Sequence, residues 1–166
     1  MSTDATPAPP HPPVERLTPD DPRLSFDGIT GWSPEGDGDG GGLLPLRMPL
    51  DRLDTTLSAN LARLARTTAG VRFAVRTDAS SIELEVENNP GGSPLDVRGD
   101  RLLAHRWTGG PGRHRIAFAL PAGGARPAEV EVWLPHLSAT RIAAVSLRGH
   151  LSPPDAVDPP GARWVV

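Results

Sequence analysis

The chain contains no cysteine and no tyrosine, and each of its 17 basic residues is an arginine. Without cysteine there is no disulfide and no thiolate chemistry, and the redox compartment is left open. The missing lysine and tyrosine, beside abundant Arg, Ala, Gly and Pro, fit a GC-rich coding sequence and need no functional cause. No apolar run approaches the roughly 18–20 residues of a membrane span. The opening stretch, MSTDATPAPPHPP, has neither a basic start nor an apolar core, so it does not read as a signal peptide, and a cytoplasmic location is the default expectation. A formal net charge of −3 argues against a dedicated nucleic-acid binder, which carries a basic footprint.

What is present begins with turn formers. Of 20 prolines, many crowd the first 22 residues, where too little apolar surface exists to offset the entropy of ordering. Residues 1–22 therefore read as a disordered tail, with PxxP recognition by an aromatic groove as a lesser alternative. The remaining length suits one domain with a self-sufficient core.

The most ordered signal runs from Ala69 to Glu87, AGVRFAVRTDASSIELEVE. Val71, Phe73, Val75 and Thr77 alternate with Arg72, Ala74 and Arg76, and Ile82, Leu84 and Val86 alternate with Glu83, Glu85 and Glu87. Alternation of this kind gives each strand one apolar and one polar face. A polar turn at Asp78–Ser81 predicts a hairpin that sets Arg76 opposite Glu83 and Arg72 opposite Glu87.

Further strands are expected over Leu24–Trp32, Leu95–Arg98, Arg101–Trp107, Arg113–Leu120, Glu129–Leu134 and Arg141–Leu147, with turn clusters between most of them. Leu102 and Ala104 are expected to share a face with Ile116 and Phe118. Val130, Val132 and Leu134 point inward, leaving Glu129, Glu131 and Trp133 outward. Leu50, Leu53, Leu57, Leu61 and Leu64 recur at helical spacing; Asp51 or Asp54 can cap that helix and Gly70 ends it. Such a stripe packs over a sheet more readily than it recruits a partner helix. The sum is an all-β chain, a two-sheet sandwich of jelly-roll-like kind over residues 23–151 with one short helix, a closed barrel being the alternative.

Chemistry is sparse. No serine sits on a G-x-S-x-G elbow, and the five histidines show no metal-ligand spacing, so no metal and no cofactor is implied. His105 and His114 are expected on opposite faces of neighbouring strands. Asp37 and Asp39, in the loop PEGDGDGGG, offer too few oxygens for Ca²⁺. The Glu83–Glu85–Glu87 row reads as a solvated, ion-paired strand face rather than a catalytic carboxylate pair. Only Trp133, and with it Trp107, hint at binding, through docking of another domain, stacking on a sugar, or plain packing.

The Ala69–Glu87 segment, with LDVRGD at Leu95–Asp100, VEVWLPHL at Val130–Leu137 and the closing RWVV at Arg163–Val166, resembles the N-terminal accessory β-sandwich domain of bacterial SGNH (GDSL-type) hydrolases. In that family a strand like Arg163–Val166 leads into the Gly-Asp-Ser of the nucleophile. The resemblance implies that residues 152–166 are a Pro-rich linker and the start of a catalytic domain absent here, and that no catalytic residue lies in this chain. The implied partner is a C-terminal SGNH hydrolase domain, the implied substrate an acyl ester or acylated carbohydrate. A self-standing carbohydrate-binding module is the other reading.

Overall fold

The computed structural model describes residues 13–33, 42–55, 58–89, 92–120 and 127–152. Two antiparallel sheets face each other across one apolar core. The smaller holds β1 (Val14–Leu17), β6 (Ser81–Asn88), β9 (Gly112–Ala119) and β11 (Thr140–Arg148), in the order β1-β11-β6-β9. The larger holds β2 (Ser25–Asp27), β5 (Arg72–Thr77), β7 (Leu95–Gly99), β8 (Leu102–Trp107), β10 (Ala128–Trp133) and β12 (Leu151–Ser152), in the order β12-β5-β10-β7-β8 with β2 also on β5. β3 (Gly31–Ser33) and β4 (Leu44–Leu46) form a small side ribbon. The all-β, two-sheet sandwich expected from alternation is the architecture found.

Alternation predicts the core correctly. Val71, Phe73 and Val75 of the larger sheet face Ile82, Leu84 and Val86 of the smaller, and all six are buried with Val130, Val132, Leu134, Ile142, Val145 and Leu147. Burying a side chain of this size is worth about 1.5–3 kcal/mol.

The hairpin expected at Ala69–Glu87 does not form. β5 and β6 belong to different sheets: β5 pairs with β10, β2 and β12, and β6 with β11 and β9. The reason lies in residues 78–80. Asp78 donates its N–H to the His150 carbonyl and Ser80 to that of Arg148, while Thr77 Oγ1 donates to His150 O at 2.8 Å and accepts from Ala79 N–H at 2.9 Å. The turn thus bonds to the crossing between β11 and β12 instead of closing on itself, and two arches run side by side from one sheet to the other. The charge pairing survives with other partners. Arg72 binds Asp27 and Glu131, and Glu83 and Glu87 bind Arg115 and Arg113.

Three other expectations are corrected. The tail predicted through residue 22 contains β1, which pairs with β11 along Val14–Leu17 and buries Leu17; backbone ladder bonds and one buried leucine outweigh the local composition. The single helix is two short ones, α1 (Leu50–Thr55) and α2 (Ala59–Ala65), the second capped by Ser58 Oγ accepting from Leu61 N–H. Leu53 enters a second small core with Leu44 and Leu46, but Leu61 and Leu64 remain 44% and 42% exposed. The stripe is broken because two short helices do not keep one continuous face. Leu57 lies outside the described residues, as do residues 1–12, the acidic loop at 34–41 and residues 153–166.

The third correction concerns β8. β7 and β8 are joined by the two-residue turn Asp100–Arg101, at φ +49° and +67°, the geometry of a type I′ turn. A register shift between Val97 and Arg98 reverses the parity of the strand. Leu103 points out opposite Arg98 and Leu102 lies at the exposed end of the strand opposite Gly99, at 52% and 74% exposure, so neither joins Ile116 and Phe118; His105 and Trp107 take the inward positions opposite Val97 and Leu95.

Candidate functional site

Trp133 stands on the outer face of the larger sheet, as period-two alternation predicts, on the strand between β5 and β7. Its surroundings come from both neighbours. The guanidiniums of Arg72 and Arg98 lie over the indole at 5.1 and 4.9 Å from the ring centroid. The indole Nε1–H donates to Glu131 Oε2 at 3.0 Å, and the other oxygen of Glu131 accepts from Arg72 Nη1. Glu131 is only 7% exposed, so its charge is tolerated because both oxygens are bonded. Asp27 adds a second carboxylate to Arg72. Arg98 Nε is buried and has no hydrogen-bond partner.

Across the same face, Trp133 is paired in register with Asp96, and Asp96 with Arg106. The Arg106 fork grips both oxygens of Asp96 at 2.7 and 2.8 Å, and that hydrogen bonding holds the Asp96 carboxyl below the usual range. The result is a rigid polar lattice with one half-buried tryptophan at its centre and exposed Leu103 beside Arg98.

Trp107, the second tryptophan singled out, is not on this face. It turns inward at the rim of the sandwich, packs on the core, and meets His114 edge-on at 4.9 Å. His105 lies against Phe118 and bonds to the Ala119 carbonyl. Both histidines thus occupy inner positions on opposed edge strands, so the expectation of opposite faces fails for the same reason as the β8 parity. They serve packing, and among the described residues no group of three potential metal ligands converges.

The outer face of the smaller sheet carries the acidic row as an ion-paired surface. Glu85 receives a two-pronged contact from Arg16, which holds its carboxyl below the usual range. Glu83 pairs with Arg115 at 2.7 Å and Glu87 with Arg113 at 3.6 Å. A shallow concavity of about 400 Å³ opens beside them, lined by Glu85, Glu87, Arg113, Arg115, Arg141 and backbone near Gly42. Its described lining offers guanidiniums, carboxylates and His114, the means for ionic contact.

A third constellation escaped sequence reasoning. Asp78 Oδ1 accepts the His150 backbone N–H at 2.6 Å, and that bond, with the His150 ring nearby, lowers the Asp78 pKa. With Thr77 this clasps the segment leading to β12, the last described strand. No signal in the sequence links position 78 to 150; only the paired arches bring them together.

The comparisons with known proteins concern this fold. No protein-family model matches the chain, and no curated protein matches it. Among solved structures, a salicylyl-acyltransferase from a tetracycline biosynthetic pathway is similar at TM-score 0.70 and 28% identity, covering 84% of this chain and 40% of that one. A GDSL-like lipase from Bacteroides ovatus gives 0.58 and 13%, covering 84% and 42%. A family two carbohydrate esterase from Cellvibrio japonicus gives 0.50 and 16%, covering 84% and 34%. The chain therefore spans about two fifths or less of the length of these neighbours.

Proposed function

We propose that this chain is the non-catalytic, N-terminal β-sandwich domain of an SGNH (GDSL-type) esterase or carbohydrate deacetylase, packed on the hydrolase domain and helping to shape substrate access. The observation that carries this reading is the fit to the salicylyl-acyltransferase, which takes in 84% of this chain yet 40% of that protein. Most of that acyltransferase thus lies outside the shared region. Acyl transfer and ester hydrolysis share an acyl-enzyme and differ in what accepts the acyl group, so the neighbours' printed activities are mutually consistent. The likeness of Arg163–Val166 to the strand before a Gly-Asp-Ser supports the same reading. A free-standing sugar-binding module is the second reading. It is disfavoured because stacking needs an open aromatic face, whereas two guanidiniums lie over Trp133 and Trp107 turns inward.

The test compares the 166-residue chain with the gene product continued past Val166, using p-nitrophenyl acetate. The short chain is expected to fold and to hydrolyse nothing above background, the longer one to turn the ester over. Turnover by the short chain, or none by the longer, would overturn the proposal. Tryptophan fluorescence during oligosaccharide titration of the short chain addresses the second reading; saturable quenching would favour it.

A further inference from the structure

We infer that the outer face of the larger sheet, centred on Trp133, is the surface on which a hydrolase domain following in the chain docks; this rests on the function proposed above. Three observations select this face. The first is where the last described strand lies. β12 and β2 lie on the same edge of β5, β12 opposite Arg76 and Thr77 and β2 opposite Arg72, Phe73 and Ala74. Thr77 and Asp78 clasp the approach to β12, so the last described strand is held on the larger sheet.

The second is composition. Tryptophan and arginine are the residues most enriched at the energetic centres of interfaces. Here Trp133 sits among Arg72, Arg98 and the bonded Glu131, with Leu103 exposed in the adjoining position. The side chains are already held in one arrangement, so docking would immobilise little that is free. The partner surface this face fits is apolar at its centre, to meet Trp133 and the exposed Leu103. The third observation is the contrast with the other sheet. Its outer glutamates are each matched to an arginine, as Asp96 and Glu131 are on the larger sheet, but among the described residues no tryptophan stands beside them to anchor a partner.

Single-cysteine labelling tests the assignment in a chain that has no cysteine of its own. Leu103→Cys reports the larger sheet's outer face. Ala117→Cys, exposed and opposite Glu83 in register, reports the smaller sheet's. Maleimide labelling of each site is followed by peptide mass in the short chain and in the product continued past Val166. Both sites are expected to label rapidly in the short chain. In the longer product Leu103→Cys should slow at least about ten-fold, the size of a modest closure equilibrium, and Trp133→Ala should restore its rate, while Ala117→Cys stays unchanged. Equal rates at both sites, or slowing at Ala117→Cys alone, in a longer product that hydrolyses ester would overturn the docking face and leave the proposed function standing. A longer product with no ester hydrolysis would overturn both.

Discussion

Gly149 is the point at which the paired arches leave least room, and Gly149→Ala measures how much the fold depends on them. Gly149 has φ +151°, a region that side-chain-bearing residues enter at a cost of about 1–3 kcal/mol. A Cβ there would lie 2.4 Å from Ala79 Cα and 2.8 Å from Ala79 N. Both are backbone atoms and cannot swing aside. The arch around Ala79 is pinned by Ser80 N–H to Arg148 O at 3.0 Å, and Gly149 N–H by Pro13 O at 3.1 Å. Relieving the clash means parting these bonds or shifting β12, a cost of about 1–3 kcal/mol by analogy with overpacked cores. Together the two effects give a loss of about 2–6 kcal/mol, or about 4–24 °C in Tm for a domain of this size. Thermal melts followed by circular dichroism read this directly. Gly110→Ala is the control: a Cβ there meets nothing within 4 Å, and its Tm should move by less than about 2 °C, as for an ordinary surface substitution. A Gly149→Ala protein melting within that same margin would refute the close-packed arch.

Four further outcomes are expected. Arg101→Gly should stabilise the β7–β8 hairpin by about 0.5–1 kcal/mol, because Arg101 sits at φ +67° and Asp-Gly is a favoured type I′ pair; a lowered urea midpoint would contradict the turn assignment. Phe73→Ala, at a fully buried position against Phe26, should cost about 3–5 kcal/mol, read as a large fall in urea midpoint or loss of the folded signal. The Arg23 guanidinium lowers Asp21 from its ordinary value near 3.8 to about 2. A depressed folded pKa gives stability that is present above the unfolded value and is lost as pH falls through the folded one. The difference in stability between wild type and Arg23→Ala should therefore shrink between pH 4 and pH 2, and a constant difference would sink that pairing. A double-mutant cycle of Arg98→Ala and Trp133→Ala should give a coupling of about 0.5–1 kcal/mol, and zero coupling would remove the cation–π contact.

How much of this was legible beforehand depends on which periodicity carried it. Burial of Val71, Phe73, Val75, Ile82, Leu84 and Val86 follows from alternation alone, as does the outward position of Trp133. Alternation is silent, however, on whether two neighbouring strands lie side by side in one sheet or face to face in two, because either arrangement buries the same residues. The Asp78–Ser81 turn therefore reads equally as a hairpin or an arch, and its outcome is decided by carbonyls seventy residues away, at Arg148 and His150. The same gap hides the arginines around Trp133. Arg72 and Arg98 are visible as outward residues, but strand order, which brings both beside β10, is a tertiary fact. β8 shows a different limit. One shift of register between Val97 and Arg98 exchanges its faces part-way along, turning His105 and Trp107 inward and Leu103 outward. Val14–Leu17 was masked by its proline-rich surroundings, since a four-residue strand draws its stability from the sheet it joins.

Active-site labelling with a fluorophosphonate puts the central claim to its most direct test, since the reagent modifies only a serine made nucleophilic by its surroundings. No adduct is expected on any serine of residues 1–166, and one adduct on a serine beyond Val166 in the continued gene product. A stoichiometric adduct within residues 1–166 would contradict it.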